Sequence, residues 1–297
     1  MPVAVAVSGS LGTHDPAAIE QDGTFYLLQT GPRLPGKKSM NLMSWSDAGS
    51  AFGSQNPAWV SQRVQGATDL WAPDLSHFGD QYHVYYSAST FGSNHSCIGH
   101  ATRASLATGN WMDRGPVICS NDGRSDNWNA IDPNVIVDQN GTPWLVFGSF
   151  WSGIKAIQLD SSGARANDEL HSLASRNGGA IEAPYVVRRC GYYYLFVSFD
   201  KCCDGANSTY NIRVGRSREV LGPYVDKKGT AMMSGGGTIL VQGADRWRGP
   251  GHNAVLFAGD KAYNIYHSYD ANNGGRSMLR VSELVWDADG WPISGGP

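Results

Sequence analysis

Three carboxylates in this chain stand at equivalent points of a repeated pattern, and that placement is what could do chemistry. Asp15 opens DPAAIEQDGTFYLLQT, Asp132 opens DPNVIVDQNGTPWLVFGSF, and Glu182 stands directly before APYVVRRCGYYYLFVSF. Two more copies begin APDLSHFGDQYHVYYSA at Ala72 and HNAVLFAGDKAYNIYHSY at His252. Aligned, the five entries read His14-Asp15, Trp71-Ala72, Ile131-Asp132, Glu182-Ala183 and Gly251-His252. A lone Asp-Pro at a strand entry often only caps a turn. Two of them and a glutamate at matching points should converge, and crowded carboxylates repel, so at least one is expected to keep its proton. One protonated acid opposite one ionised base is the requirement of glycoside hydrolysis. Separate elements can hold the two carboxyls roughly 6.5–9.5 Å apart, leaving room for the water of an inverting displacement. A third carboxylate can orient the acid and tune its pKa.

The elements that must position these groups follow from the same alignment. Each copy runs through a brief strand, a tight turn and a strand rich in Tyr, Phe, Trp and Val. The turns include Asp22-Gly23, Gly79-Asp80, Asn140-Gly141, Gly191 and Gly259-Asp260, all suited to hairpins. A third strand-like stretch follows in each: MNLMSWS, SCIGHATR, IKAIQLD, YNIRVGRS and MLRVSELVW. The copies start roughly 50 to 70 residues apart, the length of a propeller blade with a generous loop. No long segment has a helical apolar period, so helices should be minor. The expected fold is all-β: a five-bladed β-propeller with a four-stranded antiparallel sheet per blade, a single domain over residues 1–297. In a propeller the innermost strands begin at one common face, so the five entries should meet in one funnel.

Other residues fall near that funnel. Trp71 stands at an entry, where a sugar-stacking platform competes with core packing. Phe91, in STFGSN, is open to the same two readings. In GSFWSG, Ser149 and Trp151 either touch substrate or shape a loop, and His14 either orients Asp15 or bonds to backbone. His252, among carboxylates, could be a metal ligand, a substrate donor or a charge neutraliser.

The bulk properties exclude several classes. With 23 basic and 26 acidic residues the net charge is −3, so no basic face invites nucleic acid or an anionic membrane. Gly (37), Trp (10) and Tyr (13) against 16% charged residues suit short strands and turns. No apolar run is long enough to span a bilayer. The opening MPVAVAVSGS lacks the features of a signal peptide. Cys97, Cys119, Cys190, Cys202 and Cys203 lack zinc-site spacing; Cys97–Cys119 and a vicinal Cys202–Cys203 disulfide compete with free thiols. A monomer is the default.

Taken together, THDPA, LWAPD, NAIDPN, FGSFWSG, AIEAPY and GPGHN resemble glycoside hydrolase family 43, and within it the endo-1,5-α-L-arabinanases. The resemblance covers nearly the whole chain in the right order. It implies a five-bladed propeller, an inverting mechanism and arabinan or arabino-oligosaccharides as substrate. By this resemblance Asp15 is the general base, Asp132 the pKa modulator that orients the acid, and Glu182 the general acid. Trp71, Phe91, Ser149 and His14 fall at substrate-side positions. His252 matches a channel histidine associated with a metal, commonly calcium, held largely through water; no organic cofactor is implied. The Cys202-Cys203 pair is also similar to a feature of some arabinanases. Extracellular action is expected because the substrate is a polymer. The rival readings are an exo-acting arabinofuranosidase or xylan-directed enzyme of the family, and a sugar-binding propeller without catalysis.

Overall fold

The hairpin turns form where their residues call for them. Asp22-Gly23, Gly79-Asp80 and Cys190-Gly191 each place two consecutive residues at positive φ, the combination that matches the twist of paired strands. A computed structural model describes residues 1–297 as five sheets, one per repeat. The first strands of the five blades are Ala17–Gln21, Trp71–Phe78, Asn134–Val137, Ile181–Arg189 and Trp247–Ala258. They contact one another around a closed ring, the fifth touching the first, so they form the inner wall of a five-bladed propeller. Blades 2 to 5 are four-stranded and antiparallel.

The second strands, Gln81–Ala88, Tyr192–Phe199 and Lys261–Asp270 among them, are almost wholly buried. Both faces of such a strand lie against neighbouring blades, which explains its continuous apolar and aromatic run. The buried side chains fall into five clusters, one between each pair of adjacent blades: Leu34, Val84 and Tyr86 join blades 1 and 2, for instance, and Leu27, Ile265 and Val281 join blades 1 and 5. The one α-helix, Ala58–Arg63, buries Val60 beside blade 2.

Blade 1 departs from expectation twice. Its third strand is Pro35–Ser39, and MNLMSWS forms the following turn and the start of the fourth strand, Ser44–Ser50. PGKKS has little intrinsic strand preference and is held by pairing with Thr24–Leu28. A fifth strand, Ser8–Gly9, pairs in parallel with Ser44–Ser50. Two disulfides form, Cys97–Cys119 between adjacent strands of blade 2 and the vicinal Cys202–Cys203, while Cys190 is free and exposed.

Candidate active site

The five entries are locally equivalent in a way that backbone angles make plain. Asp15, Ala72, Asp132, Ala183 and His252 have φ of 50°, 44°, 58°, 52° and 50°. A left-handed conformation costs an L-residue about 1–2 kcal/mol, so something must hold each one. The backbone N–H of each is bound by a side chain of the preceding blade. Asp15 N–H donates to His267 Nδ1 (3.1 Å), Ala72 to Thr30 Oγ1 (2.7 Å), and Asp132 to Ser87 Oγ (2.9 Å). Ala183 donates to Asp132 Oδ2 (3.0 Å) and His252 to Ser198 Oγ (2.9 Å). These bonds close a ring around the channel. In blades 2, 4 and 5 the strand pairing shifts register just after the entry, a bulge that redirects side chains toward the channel mouth.

The entries converge on a cleft of about 1390 Å³ whose lining includes Asp15, Asp132, Glu182 and His252. Asp15 is only 8% exposed, and both of its carboxylate oxygens have side-chain partners. Thr30 donates to Oδ2 at 2.6 Å, His14 Nδ1 lies 2.9 Å from the same oxygen, and His252 Nδ1 lies 3.1 Å from Oδ1. Burial would raise the Asp15 pKa, but His14 and His252 together hold it well below the usual carboxylate range. Asp132 moves the other way: burial lifts it to about 6, with the Asp15 charge adding and His252 opposing. Glu182 is pushed up to about 8, first by burial and then by the neighbouring Asp132. His252 would be lowered by burial, yet Asp15, its partner, raises it to about 9. At neutral pH the cleft therefore holds an ionised aspartate, a protonated glutamate and an imidazolium.

Every candidate catalytic, substrate or metal residue named from the sequence lines this cleft. Trp71 and Phe91 stand with ring centroids 5.1 Å apart, and Phe91 is 81% exposed, a large apolar surface facing the cleft. Ser149 is buried in its wall, its hydroxyl accepting from Asn129 Nδ2 at 2.9 Å, and Trp151 stands beyond it. His14 lines the cleft, with Nδ1 at the Asp15 side chain. Thr30, His267 and Tyr269 were not legible as site residues, since each lies within or just after a second strand. Asp74 was also missed: buried under the cleft, it accepts from Asn134 Nδ2 (3.0 Å) and Val135 N–H (2.9 Å), tying blade 2 to blade 3.

The donor set does not suit a calcium ion bound directly. His252 carries its proton toward Asp15, so that nitrogen offers no lone pair. His14, Asp15 and His267 come close together, but His267 Nδ1 already accepts the Asp15 N–H. Calcium takes six to eight oxygens, as a rule. An ion at this place would have to be held through water.

Residues 8–292 match the family model for glycosyl hydrolases family 43. The extracellular endo-alpha-(1->5)-L-arabinanase 1 of Bacillus subtilis (strain 168) is 45% identical over 285 residues, covering 94% of this chain and 86% of that protein. The extracellular exo-alpha-(1->5)-L-arabinofuranosidase ArbA of Cellvibrio japonicus (strain Ueda107) is 40% identical over 298 residues, covering 94% and 85%. The solved structure of a GH43 endo-arabinanase from Bacillus licheniformis superposes with a TM-score of 0.92 at 46% identity, covering 97% of this chain and 99% of that one. With its propeller, its cleft of carboxylates and these relatives, the chain belongs to glycosyl hydrolases family 43.

Proposed function

We propose that this protein hydrolyses internal α-1,5-linked arabinofuranosyl bonds of arabinan with inversion, Asp15 serving as base, Glu182 as acid and Asp132 as modulator. The observation that carries this reading is the opposed tuning of two carboxyls in one cleft, Asp15 far below and Glu182 well above the ordinary range. Glu182 protonates the leaving oxygen as the glycosidic bond breaks. Asp15 orients a water on the opposite face of the ring and takes its proton as the oxygen bonds to the anomeric carbon. A strongly stabilised carboxylate is a weak base, so that transfer suits a late stage, when an oxocarbenium-like centre already draws the water in. Asp132 raises the Glu182 pKa through its charge and holds the Ala183 N–H beside it. Trp71 and Phe91 offer aromatic surface to sugar rings, and Ser149 and His14 complete the substrate side.

No helix is long and apolar enough to cross a membrane, and relatives are named extracellular; we place this activity outside the cell, on a polysaccharide, in a monomer. A calcium ion near His252, held through water, belongs to the same proposal. The exo-acting reading has one specific support, the Cellvibrio relative named as an arabinofuranosidase.

Purified protein incubated with debranched linear arabinan should give mixed short oligomers early, with a rapid fall in polymer size. One product accumulating while the polymer stays long would replace the endo reading with the exo one. Proton NMR of the first product should show the anomer opposite to that of the substrate. Asp15→Ala and Glu182→Ala should each cut kcat by about 10²-fold or more while circular dichroism stays unchanged. Near-normal turnover by either folded variant would overturn the assignment.

A further inference from the structure

Between the second and third strands of blade 3, Pro143–Phe147 and Ile154–Gln158, the chain turns through two aromatic residues with left-handed backbone. Phe150 has φ 44° and Trp151 φ 33°. Bulky L-residues rarely adopt this conformation, and it persists only where the surroundings hold it. Both residues line the cleft.

The turn is gripped on two sides. On the leading side, Gly148 N–H donates to Ile131 O and Phe150 N–H to Ile181 O, each at 2.8 Å. Ile131 and Ile181 directly precede Asp132 and Glu182. On the trailing side, Ser152 N–H donates to Asn127 O (3.1 Å), and Ser152 O accepts from the Lys155 ammonium at 3.0 Å. The same ammonium donates to Ser172 Oγ (2.8 Å) on the fourth strand, His171–Ala174. Lys155 is only 5% exposed, burial lowers its pKa, and no carboxylate pairs with it. A buried ammonium is costly unless its protons are bound, and an apolar side chain would fill the same space without that cost. What the charge adds is a bond to a backbone carbonyl about twice as strong as a neutral one.

We propose that Lys155 is a positioning residue for substrate: by holding Ser152 O it keeps the left-handed Phe150–Trp151 turn in place and Trp151 presented to the sugar chain. This rests on the cleft being the arabinan site. The leading-side bonds beside Asp132 and Glu182 do not involve the lysine, so the reacting groups keep their places when it is lost. Its effect therefore falls on binding and spares the chemical step.

The test is a double-mutant cycle on linear arabinan. Lys155→Met and Trp151→Ala should each raise KM about fivefold or more, with kcat within about twofold of wild type. Adding Lys155→Met to Trp151→Ala should change KM by no more than about twofold further, because the lysine acts through the tryptophan. Independent, multiplying effects on KM would overturn the proposal, as would a Trp151→Ala protein with the wild-type KM or a Lys155→Met protein that loses kcat instead. Should Lys155→Met not fold, Lys155→Gln, a neutral donor of shorter length, replaces it in the cycle with the same outcomes. Amide hydrogen exchange supplies a readout that needs no turnover. In the folded Lys155 variant, exchange across residues 149–153 should quicken by about tenfold or more while the inner strands keep their protection. Unchanged exchange there would overturn the proposal whatever the substrate. Failure of the arabinan reading shows separately, as a wild-type protein that leaves linear arabinan intact.

Discussion

Glu182 and His252 bind protons more tightly in the folded protein than in the unfolded chain, and this couples catalysis to stability. An unfolded glutamate loses its proton near its ordinary value of 4.5, whereas Glu182 in the cleft keeps it to about 8. Across that window the folded state holds more protons, so stability falls as pH rises. His252 acts in the same direction from 6.5 to about 9: its contribution is complete below 6.5 and lost as pH climbs through 9. Asp15 acts oppositely, with stability present above 3.8 and lost as pH falls through its depressed value. The melting temperature should therefore peak in mild acid and decline toward pH 9. Glu182→Gln, which mimics the protonated acid, should be inactive yet melt higher than wild type at about pH 8, with the two converging near pH 5. Parallel melting curves for the two proteins across this range would refute the raised pKa. Wild-type turnover should show its alkaline limb near 8, where Glu182 loses the proton it donates.

At the scale of elements, the inner strands depend on a device that repeats with different chemistry in each blade. The left-handed entries are held by Thr30, Ser87, Asp132, Ser198 and His267, so residue type varies while the geometry is preserved. This explains what the sequence disclosed. The entries share a position relative to Gly turns and aromatic strands, so alignment could find Asp15, Asp132, Glu182 and His252. Their partners have no common residue type, and a threonine or histidine within or just after a strand gives no sign that it faces the next blade. The third strand of blade 1 was missed for a related reason: PGKKS is a strand because of what it pairs with. Ser198→Ala tests the device. It leaves the His252 N–H without its acceptor in a left-handed residue, at a cost of about 1–3 kcal/mol. Because His252 is paired with Asp15, kcat should fall with stability; urea unfolding unchanged within about 0.5 kcal/mol would mean the ring bonds do not hold the entries.

A ring of blades must close, and here the closure is made by the N-terminal segment. On one side, Val5 N–H donates to Val281 O (2.8 Å), Thr13 N–H to Ser277 O (3.1 Å), Leu279 N–H to Leu11 O (2.7 Å) and Glu283 N–H to Val3 O (2.9 Å), all on blade 5. On the other, Ser8 and Ser10 N–H donate to Met43 O and Trp45 O of blade 1, and Ser8–Gly9 continues its sheet. Val5, Val7 and Leu11 pack on the cluster between these two blades. Gly9 sits at φ 91° with Trp45 O only 2.1 Å from where a Cβ would stand, so the segment lies against the sheet too closely for any side chain there. The clasp ends at Thr13, one residue before His14 and two before Asp15, so the closure that joins the ring also fixes the base. Deleting residues 2–12 removes these apolar contacts and all but one of the bonds at once, a loss of more than about 4 kcal/mol from burial and hydrogen bonding together. Glycine 9 offers a milder version, since Gly9→Ala must push the segment off blade 1. Both variants should lower the urea midpoint, and both should lose kcat at temperatures where the remaining fold is intact, because Asp15 is no longer held in register with Glu182. A deletion variant that keeps wild-type turnover and midpoint would show instead that the five inter-blade cores close the ring unaided.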